Sequence, residues 1–221
     1  MNARDFGAVG DGVYNDTFAM QSFLDALASS GGEGRITAGR YRITSPLTID
    51  ADNVQIRGDF ASVIYCDGIS QALVVGNGIT QRSHFLVSDL AIESNAPATA
   101  GVMLEFRYVF NGHVERCRLS SPNVGIQIVR GYQFYVSDCS IRGLAPGTGV
   151  GIRIDGEGND HYLRDTRIVG YQEQQPLAGV QILQSGATWL ENVGTIFCGN
   201  GFAIQPPAGK TVEFLFLSRC S

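Results

Sequence analysis

A chain of 221 residues is long enough to bury one large core, so a single domain is expected. Charged residues make up only 17% and hydrophobic residues 44%, with 28 Gly and 7 Pro, a mixture suited to many short strands joined by tight turns. A formal charge of -5 argues against the basic face that nucleic-acid binding needs and against an anionic membrane surface; no apolar run reaches the length of a membrane span, and the N-terminus carries no charged-then-apolar signal segment.

In chain order, residues 14–31 form the one strong helical segment. Asn15, Asp16 or Thr17 can cap it, Met20, Phe23, Leu24 and Leu27 make one apolar stripe, and Gly31 and Gly32 end it. The pattern then switches to period two through Arg35-Ile-Thr, Arg40-Tyr-Arg-Ile-Thr-Ser, Leu47-Thr-Ile, Val54-Gln-Ile, Val63-Ile-Tyr and Leu73-Val-Val, each read as a strand. From Val87 a longer repeat emerges: Val87–Ile92, Val114–Leu119, Val136–Ile141, Leu163–Ile168, Leu190–Thr195 and Leu217–Ser221. Their fourth residues, Leu90, Cys117, Cys139, Thr166, Val193 and Cys220, are spaced by 27, 22, 27, 27 and 27. A fixed period of this length signals a stacked solenoid whose units bury their apolar sides against one another. A second anchor recurs at Gly101, Gly125, Gly151, Gly179 and Gly201, each followed by alternating apolar residues. One such unit holds about three short strands, so the expected fold is an all-β, single-stranded parallel β-helix with three strands per coil. The helix caps its open end; residues 1–32 are the cap and 33–221 the coils. The last unit stops inside a strand, from which a longer parent protein is expected. The five cysteines lack any paired Cys/His spacing, and three share one repeat position, so stacked free thiols are expected rather than disulfides or zinc.

The segment Asp5-Phe-Gly-Ala-Val-Gly-Asp-Gly-Val-Tyr-Asn-Asp-Thr17, followed by Gly31-Gly32-Glu-Gly-Arg-Ile-Thr-Ala-Gly-Arg-Tyr-Arg-Ile43, resembles the opening of the pectate-lyase-like superfamily, with Ala38 where the family commonly has Pro. The resemblance implies a right-handed β-helix and a polysaccharide ligand. It does not choose among lyases, glycoside hydrolases, uronan epimerases and phage tailspikes, because fold alone does not fix activity. The polygalacturonase set of Asn-Thr-Asp, Asp-Asp and Gly-His-Gly is missing, as is the epimerase-type Asp-Pro-His-Glu. Phosphate binding by Gly7, Gly10 and Gly12 is disfavoured because no Gly-Lys-Ser/Thr element follows. Asp11, Asn15 and Asp16 are expected to bond turn amides.

Strand parity selects the outward side chains. Aligning the glycine-led strands on their glycines puts Met103, Gln127, Arg153, Gln181 and Ala203 in one outward column, and Glu105, Val129, Asp155, Leu183 and Gln205 in the next. Glu105 and Asp155 then lie two rungs apart, about 9.6 Å, near the ~6.5–9.5 Å that inverting glycosidases place between their carboxyl groups. They are the candidate acid–base pair, with Arg107, Gln127, Arg153 and Gln181 as substrate contacts; a solvated strand face is the alternative. A further column, Leu86, His113, Tyr135, Tyr162, Trp189 and Phe216, makes a candidate ring ladder. Tyr135, Tyr162 and Trp189 are its expected sugar-binding members; packing under a loop or against another subunit is the alternative. Asp89, Asp138, Asp165 and Asn192 are read as turn residues, and His113 and His161 as structural or surface residues rather than general bases. No metal site is expected, although Asp155, Glu157, Asn159 and Asp160 offer oxygen ligands suited to calcium.

The leading functional expectation is a phage tailspike-like depolymerase that binds and degrades a bacterial surface glycan. Its place is the virion tail or the extracellular space, with no nucleic-acid partner and no membrane insertion; a homotrimer follows by analogy with tailspikes. The rivals are a secreted pectate-lyase- or polygalacturonase-like enzyme and a noncatalytic adhesin or virion scaffold.

Overall fold

The computed structural model describes residues 1–95 and 101–221. The chain winds about eight turns as a right-handed parallel β-solenoid with three sheets. Sheet I carries Leu47–Ile49, Leu73–Val75, Val102–Arg107, Val124–Val129, Val150–Asp155, Ala178–Ile182 and Asn200–Ile204. Sheet II carries Gly32–Ile36, Val54–Gly58, Arg82–Ser88, Val109–Glu115, Tyr132–Ser137, Asn159–Arg164, Ser185–Glu191 and Val212–Ser218. Sheet III carries Asp11–Asn15, Gly39–Ile43, Ser62–Cys66, Ala91–Ser94, Arg118–Ser120, Ser140–Arg142, Arg167–Val169 and Gly194–Ile196. Each coil visits the sheets in the order I, II, III, as the three-strand repeat implies.

Helix α1 is shorter than expected, Thr17–Ser30, because Asp11–Asn15 pairs as an edge strand with Gly39–Ile43. Asp16 stands at the N-cap position, yet its carboxylate accepts the amides of Val9 and Gly10 (2.7 and 3.1 Å) and makes no helix-cap bond. It ties the glycine-rich opening to the helix. Asp11 accepts the amides of Val13 and Tyr14, both at 2.8 Å, the turn role read from the sequence. Met20, Phe23, Leu24 and Leu27 are buried and cover the first coil. A Cβ on Gly34 would lie 2.6 Å from the Phe23 ring and 2.7 Å from Leu27, so the helix rests directly on that strand.

Sheet II turns into sheet III through one residue with positive φ: Asp89 (60°), Arg116 (51°), Asp138 (54°), Asp165 (48°), Asn192 (52°) and Arg219 (53°). Asp and Asn tolerate that conformation better than other side chains, which accounts for their recurrence. Immediately after each corner stands the repeat's fourth residue. Leu90, Cys117, Cys139, Thr166 and Val193 are all buried in one internal stack, and Cys220 is half-buried at its end. All five thiols are free. Burial pushes the Cys66 thiol up to about 12, consistent with an inert small hydrophobe.

The glycine alignment of sheet I needs one correction. Leu104 pairs with Ile126 and Glu105 with Gln127, two residues away from the expected register. Gly101 therefore is not the counterpart of Gly125. It turns with φ 100° before the strand, where a Cβ would strike the Ser70 hydroxyl at 2.1 Å. The core fixes the true register: Leu104 and Phe106 point inward, and Phe106 packs edge-on against Phe85 and Phe134, with centroids 6.4 and 4.8 Å apart. Met103, expected outside, is fully buried.

Candidate functional site

The sequence-derived candidates fall on two faces. On sheet I, one outward column runs Glu105, Gln127, Arg153, Gln181, Ala203, and the next runs Arg107, Val129, Asp155. Glu105 and Asp155 are thus separated by two rungs and by two residues along the strand, about 12 Å diagonally between backbones. This overturns the one-column placement from which the acid–base spacing was argued. Glu105 is 9% exposed, and its Oε2 accepts from Gln71 Nε2 and Arg107 Nη2, both at 2.8 Å. Arg153 donates to Gln181 Oε1 (2.8 Å), and Gln181 donates to Gln205 Oε1 (2.9 Å). Burial, the larger influence, lowers the Arg153 pKa, and the neighbouring Asp155 charge opposes it. This face is a ladder of amides and arginines with Glu105 in its first column and Asp155 in the second.

Sheet II carries the stack of rings. His113, Tyr135, Tyr162, Trp189 and Phe216 occupy one register column. Their successive centroids are 4.6, 4.8, 4.6 and 5.3 Å apart, with planes within 14, 8, 9 and 6° of parallel. Parallel rings in contact are about 3.5 Å apart plane to plane, so each slips sideways by about 3–4 Å over the next. The expectation of open ring faces is therefore modified: each face is largely covered by its neighbour. What remains outside is a strip of each face and the ring edges, with the Tyr135 and Tyr162 hydroxyls and the Trp189 indole N–H. His113 Nε2 is held by Asn111 Oδ1 at 2.8 Å. Burial lowers the His113 pKa, and nearby Glu115 partly opposes this. Desolvation, then Asp160 and Tyr135, raise that of Tyr162.

Beside the rings runs a column that sequence reasoning missed: Glu115, Ser137, Arg164, Glu191. His113, Tyr135, Tyr162 and Trp189 line, together with this column, a groove of about 350 Å3 along the solenoid axis. Each member directly follows the inward Val or Leu of the repeat, so strand parity alone would have found it. Arg164 and Glu191 sit on adjacent rungs with Ser137 and Glu115 below, giving the groove both signs of charge.

Of the two readings for His161, structural or surface, the structure places it inside the solenoid between Phe134 and Thr188, fully buried. The segment considered for calcium is a bend at Gly156 (φ 95°) that runs into the strand Asn159–Arg164, where Asp160 has φ 61° and Asn159 Oδ1 accepts its amide at 3.0 Å. Among the described residues, no three His, Cys, Asp or Glu side chains converge on a cation position. No helix among them is long and apolar enough to cross a membrane.

The family described as rhamnogalacturonase A/epimerase, pectate lyase-like, matches residues 1–203. Mannuronan C5-epimerase AlgE2 of Azotobacter vinelandii is 35% identical over 127 residues, which cover 51% of this chain and 12% of that protein. A mutant tailspike protein of E. coli bacteriophage HK620, solved with a pentasaccharide, superposes with TM-score 0.76 at 12% identity, over 98% of this chain and 49% of that one. The family GH82 iota-carrageenase from A. fortis superposes with TM-score 0.64 at 18% identity, over 92% of this chain and 55% of that one. At such identities the two structures establish a shared fold. The chain spans a small part of the epimerase and about half of each structural neighbour.

Proposed function

Because this chain belongs to the rhamnogalacturonase A/epimerase, pectate-lyase-like family, we propose that it binds an extended polysaccharide along its solenoid axis and forms part of a protein that processes that polymer. The observation that carries this is the ring-lined groove of sheet II: four rings of a five-ring stack beside a polar and charged column, repeating at the rung spacing. A polymer with a regular repeat suits a surface with a regular repeat. The ring edges present hydroxyl and N–H groups to sugar hydroxyls, the uncovered strips of ring face meet C–H surfaces, and Arg164 suits an acidic substituent.

Two of these relatives are named for a long glycan. The epimerase acts on mannuronan and the carrageenase on carrageenan by name, and the tailspike was solved with an oligosaccharide. Within the class of long glycans, our reading is a tailspike-like depolymerase of a bacterial surface glycan, acting outside the cell or on a virion. Glu105 is the carboxylate we assign to proton transfer, since it alone among the described acids stands in the amide–arginine column of sheet I.

Trp189 is the one tryptophan, so its fluorescence reports on the groove without labelling. Titration with polymannuronate and with purified bacterial capsule or lipopolysaccharide is expected to give a saturable Trp189 change with at least one polymer, weakened by Tyr162→Ala. Product sizing is expected to show shortened chains. Glu105→Gln should slow that shortening about a hundredfold or more while the Trp189 signal persists. A polymer that binds but is never altered would leave a noncatalytic adhesin; no polymer response at all would remove the groove from glycan binding.

A further inference from the structure

Neither site above uses the outer face of sheet III. There Arg118 and Arg167 share a column with Ser140 between them, and Arg142 stands on the intervening rung, two residues further along beside Ser120. The first two are about 9.6 Å apart by backbone, with Arg142 offset to one side. All three are exposed, and among the described residues none has a carboxylate partner within ion-pair distance. Arg118 donates one bond to the Phe60 carbonyl (3.0 Å), and Arg142 one to Ser140 Oγ (3.1 Å). Each guanidinium carries five N–H donors, so most of them face solvent.

The nearby acids are largely engaged. Glu93 pairs with Arg40 and Asp89 with Arg116, leaving exposed Asp138 at the corner of the middle rung. Two shallow grooves, of about 280 and 350 Å3, meet at Arg118 and Ser140. The face is flanked by two exposed rings: Phe60, 87% exposed, beside Arg118, and Tyr171, 51% exposed, whose hydroxyl lies above Gly143 next to Arg142. Fifteen of the sixteen basic residues in the chain are arginine, the side chain that grips a planar or tetrahedral oxyanion through a fork of donors.

We propose that this face is a second glycan-contact surface, selective for a polysaccharide bearing carboxylate or sulfate groups, with Arg118, Arg142 and Arg167 gripping substituents on successive sugars. It rests on the reading that the ligand is a polysaccharide, and it adds a charge requirement that the ring groove does not impose. The net charge of -5 opposes every polyanion alike, so the choice of an acidic glycan over a nucleic acid comes from the family match and the glycan-named relatives.

The test compares the wild-type protein with the triple variant R118A/R142A/R167A for binding to polymannuronate, dextran sulfate, neutral dextran and an oligodeoxythymidine, at two salt concentrations. Thermal melting of both proteins establishes that the variant is folded. The wild type is expected to bind polymannuronate or dextran sulfate more tightly at low salt and to ignore neutral dextran at this face; which polymer wins tells carboxylate from sulfate. The triple variant is expected to lose about tenfold in affinity and most of the salt dependence, while saturating polymer still changes the Trp189 signal fully. A triple Arg→Lys variant should recover the salt dependence and only part of the affinity. Wild-type affinity and salt dependence in the alanine variant would overturn this proposal and leave the groove reading standing. Loss of the Trp189 response in the wild type, with arginine-dependent binding intact, would do the reverse. Tighter binding of the oligodeoxythymidine than of either glycan would reassign the face.

Discussion

Gly112 shows how much one absent Cβ decides. It lies in the internal column of sheet II beside Phe85, and a Cβ there would come within 2.3 Å of the Phe134 ring on the next rung. The gap lets Phe134 lie against Phe106 with centroids 4.8 Å apart. Gly112→Ala is therefore expected to destabilise the protein by about 1–3 kcal/mol through overpacking, read as a lower urea midpoint with unchanged slope. The sequence marks Gly112 only as one of 28 glycines, since its constraint comes from a residue 22 positions away. The rings at Tyr135, Tyr162 and Trp189 were legible because strand parity assigns their side. Their mutual covering was not, because it depends on the tilt of each ring against the rung below.

At the scale of elements, α1 is the piece with one job. Its apolar stripe faces the first coil, and Leu27 is fully buried against the strand Gly32–Ile36. Leu27→Ala should cost about 2–5 kcal/mol. In a solenoid each coil contacts only its neighbours, so the loss should open the first coil before the rest. Hydrogen exchange is expected to speed up in Gly32–Ile36 and Val54–Gly58 while Tyr132–Ser137 keeps its protection; uniform acceleration would contradict the capping role. The stripe, the strand periods and the Asp/Asn corners could all be read from local spacing. The sheet I register could not: Gly101 and Gly125 look alike in sequence, but one turns the chain outside the strand and the other lies within it. That slip moved Glu105 out of the column of Asp155 and into that of Gln127.

Across the whole molecule, the stack of coils encloses His161 with both ring nitrogens lacking a hydrogen-bond partner among the described residues. Burial lowers its pKa to about 4. An unfolded histidine titrates near 6.5, so between those values the unfolded chain holds a proton that the folded solenoid refuses. Stability should be fully retained above about pH 6.5 and fall by about 3 kcal/mol as the pH drops to 4. In His161→Leu that part of the dependence is expected to vanish, which denaturant titrations at pH 7 and pH 4 would reveal; an unchanged pH dependence would show that another group carries it. By itself the sequence determined the coil, the three strands per turn, the capping helix and the internal stack at Leu90, Cys117, Cys139, Thr166 and Val193, because periodicity and side-chain polarity are local properties of the chain. Only the tertiary structure decided which outward residues of sheet I share a column: Glu105 with Gln127 and Arg153, and Arg107 with Val129 and Asp155. Register between coils is set by how bulky residues such as Phe106 and Phe134 share the enclosed space, and that is a property of neighbours in space, not in sequence.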